Sequence, residues 1–170
     1  MKRLFAATAI AALPVFAQAQ EVIGSATGTI DGEERTWFLT AQDGQSQSDF
    51  SEMGSIVDVS ILAHASPDTI MSTKDGLMLS WSVFDMANPA PQGVELRYMA
   101  GDSFMQAYTA PEDAPVTMDL STFTKVEDGL HVAGMVTGSL GWSEGIGSSP
   151  DMADSHEVAI SFDAVLPALD

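Results

Sequence analysis

Beyond residue 20 the chain is dominated by short segments in which apolar and polar residues alternate. That period of two suits strands with one buried face. Within Ser55 to His64, Val57, Val59, Ile61 and Ala63 share one parity, and Asp58, Ser60 and His64 take the other. Leu77, Leu79, Trp81 and Val83 repeat the pattern around Ser80 and Ser82. It returns in Val94/Leu96/Tyr98, in Val116/Met118/Leu120 and in Val158/Ile160/Phe162/Ala164, with polar residues such as Glu95, Asp119, Glu157 and Asp163 between. No segment keeps a helical apolar period for three turns, so the predicted class is all-β.

Turn residues assign neighbours. Asp31-Gly32 predicts a hairpin between Ser25–Ile30 and Glu33–Thr40, and Asp128-Gly129 another between Phe123–Glu127 and Leu130–Leu140, because Asp-Gly tolerates positive φ at both turn positions. Asp75-Gly76 and Gly101-Asp102 mark two further turns. About nine or ten strands at this spacing predict one antiparallel β-sandwich over residues 20–170. The rival is a small outer-membrane barrel, against which aromatic residues are sparse and form no paired girdles. Gly134 and Gly138, on the parity of Val132 and Val136, predict bulges or a close backbone approach. Three longer segments read as loops that suit binding: Ala41–Gly54, Asp85–Gly93 and Gly141–Ser155.

The first residues have a different character. Lys2 and Arg3, an apolar run from Leu4 to Phe16 and the small-residue finish Ala17-Gln18-Ala19 make the three parts of a secretory signal over residues 1–19. The run is shorter than the ~20 residues of a spanning helix, so the expectation is cleavage after Ala19, no remaining membrane anchor and a periplasmic or secreted product. There is no cysteine, which excludes disulfides, thiolate ligands, a cysteine nucleophile and a lipidated cysteine. Loss of Lys2 and Arg3 takes the formal net charge from −18 to −20, a field that repels nucleic acid and anionic lipid surfaces. With the acids scattered singly it reads as solubility outside the cytoplasm, the alternative being attraction of cations or a basic partner.

Five patterns invite chemistry. Gly141-Trp142-Ser143-Glu144-Gly145 fits G-x-S-x-G, with Asp151, Asp154 and His156 following in acid-then-histidine order. The nucleophile elbow needs a helix after the serine, and Gly145, Gly147, Ser148, Ser149 and Pro150 cannot start one, so a plain loop is expected. His131 and Met135, and Met152 and His156, are soft-ligand pairs of the kind copper takes. The first pair is too far apart on a strand, and the second is expected on a loop. His64, His131 and His156 form a zinc site only if three strands bring them together. Asp43, Asp49 and Glu52, with Gln45 and Gln47, offer oxygen ligands for Ca2+, although the spacing is not that of an EF-hand. Paired carboxylates for glycoside cleavage depend on tertiary distances.

The expectation is therefore an exported acidic β-sandwich acting as a non-enzymatic binding or interaction module for a ligand or protein partner. The alternative is a metal-dependent or carboxylate-based hydrolase. No catalytic or cofactor-binding residue is assigned.

Overall fold

A computed structural model of the chain describes residues 20–42, 44–68, 72–101, 103 and 105–169. The predicted signal, residues 1–19, lies outside the described residues. Every regular element among those residues is a strand: β1 (Glu21–Ile30), β2 (Glu33–Gln42), β3 (Gln45–Ser46), β4 (Asp49–Met53), β5 (Ile56–Ala63), β6 (Gly76–Val83), β7 (Gln92–Met99), β8 (Ala107–Thr109), β9 (Thr117–Val126), β10 (Gly129–Ser143) and β11 (Asp151–Leu166). They form one antiparallel sheet in the order β3-β2-β1-β11-β10-β8-β7-β6-β5-β4, with β9 also paired to β10.

The sheet folds over a single apolar core. Trp81 on β6 and Phe162 on β11 are four places apart in strand order, yet their ring centroids are 5.5 Å apart. Such contact requires two halves of the sheet to face each other, as in a sandwich. At one edge the halves join through the short β8. At the other, Phe38 and His64 exchange backbone hydrogen bonds of 2.8 and 2.9 Å, an isolated bridge that leaves the sheet short of a closed barrel. The alternating residues fall as the period predicts: Val57, Val59, Ile61, Leu77, Leu79, Trp81, Ile160 and Phe162 are all buried. Polar partners such as Glu157, Ser161 and Asp163 lie outside. Apolar inside and polar outside is the reverse of a lipid-facing barrel.

Local chemistry sets the joints. Asp31 and Gly32 take φ of 52° and 79°, so the first hairpin turns as predicted, with Ile30 paired to Glu33. The second turn shifts by one residue. Gly129 opens β10 opposite Val126, leaving Glu127-Asp128 as the loop. Gly134 marks a bulge, where Ala133 pairs Thr122 but Gly134 pairs Leu120. The extra residue, Ser121, switches the parity of β9. Met118 and Phe123 are therefore both buried while Leu120, expected in the core, is only partly so.

Other expectations are corrected. Ala41–Gly54 is not a loop, because it holds the end of β2 together with β3 and β4, and β4 pairs fully with β5. Gly141–Ser155 shrinks to a loop over Glu144–Pro150, since β10 runs to Ser143 and β11 starts at Asp151. His64, expected on the polar face, is buried. The alternation stops at Ala63, and the His64 ring turns inward at the seam, where Nδ1 donates to the Ser72 carbonyl at 3.0 Å.

Candidate functional site

The structure separates the residues that the sequence nominated. Ser143 is buried at the end of β10, and its hydroxyl donates to the carbonyls of Gly145 (2.8 Å) and Ser148 (3.3 Å). It ties the following loop instead of facing a histidine. Met152 and His156 both lie on β11 rather than on a loop, where the strand is irregular, Leu140 pairing His156 and Trp142 pairing Asp151; the His156 ring is taken up by Asp31 and Tyr108. The three histidines do not converge. His64 bonds Ser72, His131 Nε2 lies 2.9 Å from Asp163, and His156 meets Asp31. His131 pairs Val165 in a register where His156 pairs Leu140, about 30 Å along the strand.

Of the calcium candidates, Asp43 lies outside the described residues. Asp49 and Glu52 stand three apart on β4, so they point to opposite faces. Glu52 is ion-paired with Lys125 at 2.6 Å. Among the described residues no group of three or more His, Asp or Glu side chains is placed to hold a metal ion.

One assembly was invisible in the sequence. Where Val158 and Ile160, Trp37 and Leu39, or Leu96 line the core, the same parities continue toward one end as His156, Arg35 and Tyr98. Arg35 Nη1 donates to the Tyr98 hydroxyl at 2.7 Å, and the guanidinium lies 5.4 Å from the ring centroid. The Tyr98 hydroxyl donates to Asp75 Oδ1 at 2.9 Å, and Trp37 Nε1 donates to the Asp75 carbonyl at 2.7 Å. Burial, aided by the Asp75 carboxylate, pushes the Tyr98 phenol up to about 12.

Next to it, Tyr108 stacks on Tyr98 at 6.1 Å and meets Trp142 at 5.1 Å and His156 at 4.3 Å, both edge-on. Its hydroxyl donates to Asp154 at 3.2 Å, and burial followed by that carboxylate raises its pKa. Asp31 is held below the ordinary carboxylate range, first by His156 and then by the Glu157 backbone N–H at 2.9 Å. Glu144 accepts from both Trp142 Nε1 and Gln106 Nε2 at 2.9 Å. The rings cover one another's faces and their polar atoms are partnered, so this cluster closes one end of the core. It anchors β8 and sets where the loop after Ser143 begins.

That loop and the segment between β8 and β9 flank the larger concavity, a groove of about 1100 Å³ beside β7 and the end of β8. Val94, Ala110, Pro111, Ile146 and Met152 supply its apolar lining, and Glu95, Glu112 and Asp113 its acids. Ile146 is 62% exposed. Arg97 also lines it, donating through Nη2 to the Met105 carbonyl at 3.2 Å, while its buried Nε has no partner among the described residues.

A shallower hollow of about 350 Å³ continues from Glu95 across β6, β5 and β4. Its floor is set by register: Asp49, Ser60, Ser80 and Glu95 form one cross-strand row, and Ser51, Asp58 and Ser82 form the next. Burial raises the pKa of Asp49. Among the described residues Asp49, Asp58, Glu95, Glu112 and Asp113 take part in no ion pair.

Set against protein families, curated proteins and solved structures, the chain matches none of them.

Proposed function

We propose that the chain is an exported, non-enzymatic binding module that takes its ligand in the groove between the Glu144–Pro150 loop and the segment joining β8 to β9. The observation that carries this is the groove itself: a large concavity on a sheet scaffold, with exposed apolar side chains at Ile146 and Met152 and loops on both flanks. Concave apolar surface with a few polar groups is the usual form of a ligand site, and loops on a rigid scaffold usually carry it. The non-enzymatic reading is supported by the engagement of Ser143 with two carbonyls and by the separate partners of the three histidines. Export rests on the three-part segment of residues 1–19.

Amide chemical shifts of the isotope-labelled protein, residues 20–170, recorded against a library of small apolar and charged fragments, test the site. Binders should perturb Val94, Thr109, Ile146 and Met152 together. Perturbations confined to surfaces outside the groove would refute it.

A further inference from the structure

The geometry points to a cationic, apolar-anchored peptide segment of a partner protein as the occupant of this groove and of the acidic hollow that continues it. The inference rests on the groove being the binding surface and adds the chemistry of what fills it. The two concavities meet at Glu95, which lines both. At the groove end the surface offers Ile146, Met152 and Pro111, with Glu112 and Asp113 beside them. At the hollow end it offers Asp49, Asp58 and serine hydroxyls.

Four observations favour a cation along that track. The acids named have no ion-pair partner among the described residues. Arg97 is the one basic residue lining either concavity, against five acids. Asp49 is partly desolvated, as its raised pKa reflects, so an approaching ammonium or guanidinium gains more from it than from a fully hydrated carboxylate. The whole chain carries −18, which steers basic partners toward it.

Length follows from the sheet. From β7 to β4 are three strand spacings, about 14 Å, or about four residues of extended chain. The segment therefore carries an apolar anchor for the groove and two basic side chains within about four residues beyond it. An ordinary solvated acidic face lacks the adjoining apolar groove, and a purely apolar ligand leaves the hollow unused.

Fluorescence anisotropy with a fluorescein-labelled peptide tests this: Leu-Ile, a Gly-Ser spacer, then Lys-Gly-Lys, in about 50 mM salt so that screening is weak. The peptide should bind, and versions with both lysines changed to glutamate, or Leu-Ile changed to Ser-Ser, should bind far less. Asp49→Asn with Asp58→Asn should weaken binding about three- to tenfold, and Ile146→Asp more than tenfold. Glu34→Gln with Asp119→Asn, the same charge change on the opposite half of the fold, should change it less than twofold. These side chains are at the surface, and far-UV circular dichroism confirms that each variant folds.

Equal losses from the two double variants would overturn the proposal in favour of bulk charge, and failure of the cationic peptide to bind would overturn it outright. If small fragments still perturb the groove in that case, the binding reading survives and only the partner chemistry falls. If neither binds, both fall.

Discussion

Two core tryptophans with almost the same burial should respond very differently to the same substitution. Trp37 is 1% exposed and Trp81 is 3% exposed, but Trp37 Nε1 donates to the Asp75 carbonyl at 2.7 Å whereas Trp81 Nε1 has no partner among the described residues. Changing either to phenylalanine removes a few buried atoms and leaves a cavity of a few tens of Å³, together costing about 2 kcal/mol. At Trp37 the change also strands the Asp75 carbonyl, adding about 1–3 kcal/mol. At Trp81 it instead removes a buried, unpaired donor and relieves about the same amount. Trp37→Phe should therefore cost about 3–5 kcal/mol, and Trp81→Phe should lie within about 1 kcal/mol of the parent. Trp81→Ala, which also loses the contact with Phe162, should cost about 3–5 kcal/mol or somewhat more. Urea unfolding followed by far-UV circular dichroism, which does not depend on the indoles being removed, measures all three. Equal midpoints for Trp37→Phe and Trp81→Phe would refute the assignment of a partnered and an orphaned indole. Equal midpoints for Trp81→Ala and the parent would refute the packing of the two halves.

Further outcomes are expected. Gly28→Ala should abolish folding or cost more than about 3 kcal/mol by urea melt, because its Cβ would stand 2.1 Å from the Ala159 carbonyl oxygen. Gly32→Ala, at φ +79 with open space around it, should cost only about 1 kcal/mol. The depressed Asp31 carboxyl contributes stability that is present above its ordinary 3.8 and lost as pH falls below it. Asp31→Asn should therefore flatten the acid limb of an unfolding profile. Tyr98, raised to about 12, contributes stability that is present below its ordinary 10 and lost as pH rises through 12, so Tyr98→Phe should flatten the alkaline limb. Intact mass of protein recovered from its native host should correspond to a chain starting at Gln20, and a retained Met1 would refute export.

The strands that the sequence revealed most clearly are those with one apolar face and a charged or hydroxylated one, such as β5, β6 and β11. Burial dictates their parity directly. β3 and β4 stayed hidden because Gln45 to Glu52 hold one large apolar residue, Phe50, and their strand character comes from pairing with β2 and β5. The break at Gly134 was signalled by the glycine, but the matching switch in β9, which moves Leu120 out and Phe123 in, needs the register of two strands at once. The same limit hid the Arg35–Tyr98–Tyr108–Trp142–His156 cluster: its members come from five strands and share no local pattern. The groove was half legible. The loop after Trp142 stood out by its glycines, while the flank at Pro111 to Asp113 and the acid row from Asp49 to Glu95 exist only through sheet order.

The position of β11 sets the order in which such a chain can reach its native state. β11 lies between β1 and β10 and pairs with both, so the first hairpin, joined to the β5 end by the Phe38–His64 bridge, gains its main partner strand when the sixteen residues of β11 are in place. Contacts that link distant parts of a sequence form late and slow folding. Strands β4 to β8 are neighbours in both sequence and sheet and can pair with one another first, whereas the joining of the first hairpin to β10 waits for the last strand of the chain's described residues.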